Sequence, residues 1–289
     1  MLLTYGKRIN LTKYDQELER IEIDLILEGI NRYYGYDFRD YDYEMLKRRI
    51  LSFMRVEKLK TYSSLQEKVL HDRNCMYRFL NSLVISVTAM FRNPAFFHSL
   101  RDLALPYLRC LPFIRIWHAG CATGEEVYSM AILLKEEELY ERSIIYATDI
   151  SEQALRKAKE GVIPLQLMQE YTKNYHMSGG KHSFSDYYTA NQNKAIITHS
   201  LRKNIIWAQH NLVSEASFNE FHLILCQNVM IYFNKSLQER VQQLLYESLA
   251  HSGFLGLGKA ESIRSTPLEK CYKVMDVHGK LFRKVDEIG

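Results

Sequence analysis

The chain has 289 residues, 47% of them hydrophobic and 25% charged, which is enough for one large domain and a smaller one. Its formal net charge of +4 argues against a nucleic-acid binder, so any basic patch must be local. There is no apolar run of 18 residues and no signal-peptide pattern, so we expect no membrane insertion. Five widely spaced cysteines without a Cys-x-x-Cys pair indicate a reduced, cytoplasmic protein.

The first part of the chain, residues 1–85, is predicted to be a helical domain. Apolar residues recur there at helical spacing, as in Ile23, Ile26, Leu27 and Ile30, and no strand candidate interrupts them. Residues 86–112 follow as a linker.

From Ile114 onwards, short β-rich runs alternate with helical segments. The strands are predicted within 113–119, 143–150, 204–212, 221–229 and 253–261, and the helices over 125–138, 152–160 and 235–250. This order predicts an α/β domain over residues 113–289, with a mostly parallel sheet and helices on both faces. Residues 162–204 break the alternation and are predicted to form short antiparallel strands, inserted as a β-subdomain.

A turn of small residues, Gly120–Gly124, follows the first predicted strand, which we expect to end at Trp117. Ligands of parallel sheets bind beyond the carboxyl ends of the strands, so this turn is expected to line a ligand crevice. It contains no lysine, and its spacing fits neither a P-loop nor a dinucleotide fingerprint. Glu125 and Glu126 open the next helix and would repel a pyrophosphate. They suit an ammonium or sulfonium centre, although a role confined to the helix N-terminus is an equal alternative.

Asp149 ends the next predicted strand, where a carboxylate can accept both hydroxyls of a ribose. An N-cap role for Asp149 is the alternative. A ligand that is a nucleoside, cationic and free of phosphate is S-adenosylmethionine, which we therefore expect as the cofactor. We expect no metal site, because the ten histidines show no paired ligand spacing. Cys121 is interpreted as a small turn residue and not as a nucleophile, since no suitably spaced His or Asp supports it.

The strings "AGCATGEEVYSMAILL", "ATDIS", "NLV", "LILCQNVMIYFN" and "LGKAES", in this order, resemble the chemotaxis receptor methyltransferases of the CheR family. The resemblance runs from about residue 21 to the end of the chain. It implies a helical N-terminal domain and a seven-stranded S-adenosylmethionine-dependent methyltransferase domain that carries a small inserted antiparallel β-subdomain. It also implies methylation of glutamate side chains on the cytoplasmic domains of chemoreceptors, or on another acidic protein, by a cytoplasmic monomer.

The resemblance also implies the cofactor-binding residues. Thr88 and Arg92 match a Thr-x-Phe-Phe-Arg element that reaches the cofactor from the linker, and Glu126 corresponds to the residue that meets the methionine amino group. Together with the residues taken from the turn and the strand ends, the expected cofactor-binding set is Ser86, Thr88, Arg92, Gly120, Glu126, Asp149, Asn211, Leu212, Gln227 and Asn228.

Further roles follow from the same resemblance. Asn211 and Leu212 flank the adenine, while Asn228 and Tyr232 match an Asn-x-x-Ile-Tyr element that lines the methyl-transfer site. Arg92 and Tyr232 are the expected catalytic residues. A buried Arg92 would hold the acceptor carboxylate bidentately, and Tyr232 would donate a hydrogen bond or form a wall beside the sulfonium. From the residues alone, a surface ion pair for Arg92 and a core aromatic for Tyr232 remain the alternatives.

The sequence departs from the family pattern at several positions. Ser86 replaces an Asn, Gln227 replaces an Arg, and His118 replaces a small residue; Met90 and Val127 replace a Phe and a Pro. These changes keep open a second function, a catalytically weak or inactive CheR-like module that binds cofactor or a signalling partner.

A local excess of positive charge occurs in the sequence "KRRILSFMRVEKLK", residues 47–60, which contains one acid, Glu57. Its apolar residues Ile50, Leu51, Phe53 and Met54 are expected to pack inward and to leave the cations mostly solvated. The resemblance implies that this face docks the acidic substrate, and a short loop near residue 192 indicates docking without a tethering peptide; a merely solvated face is the alternative. The expected docking residues are Lys47, Arg48, Arg49, Arg55 and Lys58, with Lys60 beside them.

Overall fold

The computed structural model describes residues 11–84 and 88–285, and the chain divides into two compact units after Val84. The described residues of the first unit form four helices: α1 (Leu11–Tyr34), α2 (Tyr43–Val56), α3 (Tyr62–His71) and α4 (Arg73–Leu83). Side-chain oxygens of Asp42, Thr61 and Asp72 accept backbone N–H groups at the starts of α2, α3 and α4, which satisfies donors that a helix start leaves unpaired. The apolar stripes predicted from the sequence form its core, which includes Ile23, Ile30, Ile50, Phe53, Leu65 and Phe79.

The second unit contains ten strands among its described residues. They are β1 (Ile114–Ala119), β2 (Ser143–Asp149), β3 (Val162–Pro164), β4 (Tyr188–Asn191), β5 (Lys194–Ile197), β6 (Ile205–Gln209), β7 (Phe221–Cys226), β8 (Leu249–Leu257), β9 (Tyr272–Asp276) and β10 (Leu281–Lys284). Seven of them form one sheet in the order β6-β2-β1-β7-β8-β10-β9. All pairs from β6 to β8 are parallel, and β10 is antiparallel to both β8 and β9.

The other three strands form a small antiparallel sheet in the order β3-β5-β4, within the segment predicted to be an inserted subdomain. The helices of this unit are α5 (Pro94–Ser99), α6 (Leu105–Leu108), α7 (Glu125–Glu136), α8 (Glu152–Glu160), α9 (Met168–Met177) and α10 (Lys235–Ser248). A π-helical turn, Leu100–Ala104, joins α5 to α6, so much of the expected linker is helical. The predicted fold class is confirmed.

Four sequence-based predictions need correction. β1 continues to Ala119, past its expected end at Trp117, because it pairs with β2 along its whole length. α7 and α10 each end two residues earlier than predicted. The insertion is not purely strand, since α9 lies between β3 and β4.

Helix α7 is buried from Val127 to Leu134 without interruption. At its C-terminal end the carboxylate of Glu136 is inaccessible to solvent and forms an ion pair with Arg101. The same carboxylate accepts hydrogen bonds from the hydroxyls of Tyr175 on α9 and Tyr187. Arg101 also pairs with Glu137 at 2.6 Å. The far end of α7 is therefore fixed to the inserted subdomain by charge-assisted hydrogen bonds.

No helix in the described part of the chain is both long and apolar enough to cross a bilayer. All five cysteines lie in the described ranges, and none forms a disulfide.

Candidate functional site

Four neighbouring parallel strands, in the order β6-β2-β1-β7, end at one edge of the sheet. Their registers align Ala119 with Thr148 and Asp149 with Gln209. Six of the residues predicted to bind the cofactor follow or end these strands, so the fold brings their backbones to one edge. They are Gly120 after β1, Asp149 in β2, Asn211 and Leu212 after β6, and Gln227 and Asn228 after β7.

The turn Gly120–Gly124 is held against the end of β2, because the N–H groups of Gly120 and Cys121 both donate to the Thr148 carbonyl, at 2.8 and 2.9 Å. Gly120 has φ +79°, and a Cβ there would lie 2.4 Å from Val229 Cγ2. Gly124 has φ +90° and is tightly packed against Ala158. Only glycine meets both requirements, a left-handed backbone and close approach, at these two positions.

The Asp149 carboxylate is 5% exposed and accepts two backbone hydrogen bonds. Its Oδ2 accepts from the N–H of Ala122 and its Oδ1 from the N–H of Ser151, both at 2.8 Å. Burial raises the pKa of Asp149, and these N–H donors oppose that shift. The N-cap alternative is wrong, since Ser151 caps α8 through its own hydroxyl. Each carboxylate oxygen can accept a further bond, so the ribose-binding role stays a prediction.

The two glutamates of α7 have different partners. Glu126 Oε1 lies 2.9 Å from Nδ1 of His118, which is fully buried on β1. Glu125 accepts a hydrogen bond from the Thr123 hydroxyl at 2.6 Å, and burial raises the pKa of its carboxyl group. In the sequence, His118 stands out only as a departure from the family pattern, whereas in the structure its ring supports the carboxylate predicted to meet the ligand amine.

Asn211 shapes the turn that follows β6. Its side-chain oxygen accepts the N–H of Val213 at 3.0 Å, and its own N–H donates to Glu215 Oε1 at 3.2 Å. Asn211 is buried and Leu212 is half-buried. The predicted contact of Leu212 with the adenine stays a prediction.

The segment after β7 contains the other expected cofactor contacts. The Nε2 group of Gln227 is buried and has no hydrogen-bond partner among the described residues. Asn228 has φ +59°, an uncommon backbone conformation for a residue other than glycine. Tyr232 ends the 3₁₀ turn Met230–Tyr232 and is half-buried, so it is not the fully buried core aromatic of the alternative interpretation.

The segment Thr88–Asn93 packs on the start of α7. The N–H of Phe91 donates to Ser129 Oγ at 2.9 Å, and Ser129 Oγ donates to the Glu125 carbonyl at 2.8 Å. Thr88 is half-buried, and Ser86 lies outside the described residues.

Arg92 is exposed, so its expected burial is wrong. Its neighbours Phe91 and Asn93 are the buried residues of this turn, and the backbone therefore directs Arg92 outward. Because the turn is tied to α7 through Ser129, Arg92 is nevertheless attached to the start of the helix that carries Glu126.

Two other chemistries find no support. Cys121 is buried, and burial raises its thiol pKa well above the usual value, so the thiolate is strongly disfavoured. Over residues 11–84 and 88–285, no group of three or more His, Cys, Asp or Glu side chains is placed to hold a metal ion.

The basic segment of the first unit is only partly solvated. Lys47 is half-buried in an ion pair with Glu19 at 2.5 Å, and half-buried Arg49 donates to the Ser82 carbonyl at 2.7 Å. The prediction of solvated cations is therefore wrong for Lys47 and Arg49, because Lys47 pairs with a carboxylate and Arg49 bonds to a carbonyl within the first unit. Leu51 is likewise only half-buried, whereas Ile50, Phe53 and Met54 are buried as predicted. The exposed cations are Arg48, Arg55, Lys58 and Lys60.

The single acid of this segment does not neutralise the exposed cations. Glu57 bonds with Arg78 at 2.9 Å and with Lys68 at 2.6 Å, and these bonds lower its pKa to about 2. The positive charge of Arg48, Arg55, Lys58 and Lys60 is therefore left facing solvent.

The strand edge fits a nucleoside with a cationic centre. The turn Gly120–Gly124 after β1 has no lysine or arginine. The carboxylates of Glu126 on α7 and of Asp149 on β2 supply negative charge beside it. The buried Gln227 Nε2, for which the described residues supply no hydrogen-bond partner, adds a donor. These donors and acceptors suit S-adenosylmethionine, whereas the carboxylates would repel a pyrophosphate.

Comparisons with known proteins agree with this geometry. Residues 86–277 match the family described as CheR methyltransferase, SAM binding domain, and residues 21–84 match CheR methyltransferase, all-alpha domain. A Pseudomonas putida protein named "Putative methyltransferase Cher3" is 47% identical over 91% of this chain and 97% of its own length. Proteins named "Chemotaxis protein methyltransferase" from Listeria monocytogenes and Escherichia coli are each 29% identical. They are aligned over 81% and 78% of this chain and over 87% and 77% of their own lengths.

Proposed function

Because the chain belongs to the CheR methyltransferase family, with S-adenosylmethionine as its cofactor, we propose that it methylates glutamate side chains of chemoreceptor cytoplasmic domains. The observation that carries the proposal is the pair of carboxylates, Glu126 and Asp149, beside a turn without basic residues at the carboxyl edge of the sheet. The names of the relatives from Listeria monocytogenes and Escherichia coli support a role in chemotaxis.

The proposed reaction needs little acid–base catalysis. The cofactor supplies a methyl group activated by a positively charged sulfur, and the acceptor carboxylate is already ionised at neutral pH. Asp149 and Glu126 orient the nucleoside and the amino group, while the half-buried Tyr232 shields the reacting centre from water. Exposed Arg92 receives the acceptor carboxylate and directs one of its oxygens, so positioning provides most of the rate enhancement.

Transfer of a labelled methyl group tests the proposal. The full chain, incubated with methyl-labelled cofactor and an acidic chemoreceptor fragment, should place a label on the fragment that mild base releases, as expected for a glutamyl methyl ester. A fragment with every glutamate replaced by glutamine is the matched control and should stay unlabelled.

One observation favours the alternative of a module with weak or no catalysis. Gln227 stands where the family has an arginine, and its buried Nε2 lacks a partner within the described ranges. The alternative predicts that calorimetry detects S-adenosylhomocysteine binding while no label reaches the fragment. Label on the fragment contradicts it.

We further propose that the exposed cations of the basic segment dock the acidic substrate. Arg48 and Arg55 lie two helical turns apart on α2, and both are exposed. The double variant Arg48→Glu/Arg55→Glu should raise the apparent KM for the receptor fragment about tenfold at low salt, since each exposed pair contributes up to about 1 kcal/mol. Steady-state kinetics at 0.05 and 0.5 M salt provide the measurement, and the effect should shrink at high salt.

The matched control reverses two exposed lysines of the other unit, Lys270→Glu/Lys273→Glu, which changes the net charge equally. This control should leave the KM within a factor of about two, an exposed surface substitution being nearly neutral. Equal effects in both double variants would show that net charge alone matters and would remove the docking role from α2.

A further inference from the structure

Glu261, between β8 and β9, is a buried carboxylate that accepts hydrogen bonds from four main-chain N–H groups. It is 4% exposed. Its Oε1 accepts the N–H groups of Val229 and Met230 at 2.9 and 2.8 Å, and its Oε2 accepts those of Asn228 and Gly258 at 3.0 and 2.7 Å. No lysine, arginine or histidine of the described residues forms an ion pair with it. Four backbone donors therefore take the place of a cation.

The carboxylate fixes an uncommon backbone conformation. Three successive N–H groups, of Asn228, Val229 and Met230, converge on it, an arrangement in which peptide groups commonly bind an anion. Asn228 has φ +59°, which a residue other than glycine keeps only when its surroundings enforce it. Burial raises the pKa of Glu261, and the four N–H donors oppose that shift.

The fourth donor shows that the arrangement depends on close packing. A Cβ on Gly258 would lie 2.7 Å from Glu261 Oε2 and 2.8 Å from the Asn228 nitrogen. Gly258 and the segment after β7 therefore approach closely around the Glu261 carboxylate, and a side chain on Gly258 would displace its neighbours. The amides of the segment 228–230 bond to Glu261, and the carbonyls of Val229 and Met230 accept the N–H groups of Tyr232 and Phe233, so backbone hydrogen bonds fix this segment on both sides.

We propose that Glu261 is a positioning residue for methyl transfer, which holds Asn228 and the turn that ends at Tyr232 in their reactive arrangement. The inference rests on the proposed function, because Asn228 and Tyr232 are the residues assigned there to the reacting centre. Glu261 acts through the backbone and contacts neither reactant. Its loss should therefore affect turnover more than the affinity for the cofactor.

Glu261→Gln keeps the size of the side chain but presents an amide N–H₂ to backbone donors. It should lower kcat about 100-fold, the scale expected for a displacement of about 1 Å at a reacting centre. The KM for the receptor fragment and the dissociation constant of S-adenosylhomocysteine should each change less than about fivefold if the effect lies mainly in the transition state. Glu261→Asp retains both oxygens and should recover part of the lost kcat.

Gln242→Ala is the matched control. Gln242 is buried nearby and donates to the Ser262 carbonyl at 3.0 Å, so its loss destabilises the same region without freeing the amides of 228–230. Thermal unfolding gives the folded fraction of each variant, and kcat is expressed per folded protein. If Gln242→Ala lowers kcat as much as Glu261→Gln does, Glu261 serves stability alone and the proposal is overturned.

Amide hydrogen exchange provides a readout that does not need activity. Glu261→Gln should speed exchange at Val229 and Met230 while leaving the core strand β1 protected. If the unmodified chain transfers no methyl group, the proposed function fails, and the exchange result alone decides whether Glu261 fixes the segment. Unchanged exchange at Val229 and Met230 would overturn the inference in either case.

Discussion

Replacing Asp149 with alanine is expected to weaken the binding of S-adenosylhomocysteine by roughly 1–3 kcal/mol, the usual cost of a buried polar group left without its partner. The reason is twofold. The variant loses the proposed acceptor for the ribose hydroxyls, and it leaves the N–H groups of Ala122 and Ser151 without their side-chain acceptor. The turn after β1 is then held to β2 more weakly, through the bonds of Gly120 and Cys121 to the Thr148 carbonyl. Isothermal titration calorimetry measures the first effect and thermal unfolding the second.

Ser151→Ala is the matched control for Asp149→Ala. It removes the hydroxyl that accepts the N–H of Ala154 at the start of α8, two residues from Asp149. The control should lower stability by about 1 kcal/mol, the usual value of an N-cap, and leave the affinity nearly unchanged. Equal loss of affinity in both variants would show that Asp149 acts only through the fold of this edge.

Arg92→Ala is expected to lower turnover about 100-fold while the affinity for S-adenosylhomocysteine changes much less. An acceptor glutamate on a protein substrate arrives from solvent, and an exposed guanidinium on a turn fixed by buried Phe91 and Asn93 is well placed to receive it. If the arginine stabilises the transition state more than the ground state, its removal should lower kcat and leave the affinity for the cofactor nearly unchanged. The expected size is that seen when one group stabilising the charge of a transition state is removed. Single-turnover methyl transfer, with calorimetry on the same samples, makes the measurement.

Two further variants define the role of Arg92. Arg92→Lys keeps the charge but loses the planar fork, so its turnover should be intermediate. Arg156→Ala removes an exposed arginine from α8 and should have no effect on turnover, because Arg156 forms a surface ion pair with Glu152 on the same helix. Near-normal turnover in Arg92→Ala would exclude Arg92 from the reaction.

The central sheet could be predicted because its inner strands are covered on both faces. Strands such as β1 and β7 are nearly continuous apolar runs, and such runs are easily recognised in a sequence. β9 and β10 were not predicted, because β9 is an edge strand with a polar residue such as Lys273 on its exposed face, and β10 carries the charged residues Arg283 and Lys284. Helix α9 was missed for a related reason, since it buries only Met168, Tyr171 and Tyr175.

The site was predictable as far as strand ends define it. Asp149 could be predicted because it ends a parallel strand, and the carboxyl ends of such strands meet at one edge of the sheet. Asn228 was predicted from the resemblance of its Asn-x-x-Ile-Tyr element to the family. Glu261 could not be assigned a role from sequence, since its bonds to Asn228, Val229 and Met230 join segments more than 30 residues apart. The exposure of Arg92 could not be predicted, because it depends on the burial of its neighbours Phe91 and Asn93, which the order of residue types alone does not determine.

Helix α7 has a consequence for the thermodynamics of ligand binding. Its first turn carries Glu126, its middle is buried without a break, and its last turn is held by Arg101, Tyr175 and Tyr187. The conformational entropy of this part of the site is therefore lost when the chain folds and not when a ligand arrives. A ligand that contacts α7 therefore binds to a helix that is already ordered, and little of its binding enthalpy is offset by an entropic penalty. Ligands of a different shape should bind weakly, because the rigid helix cannot adjust to them.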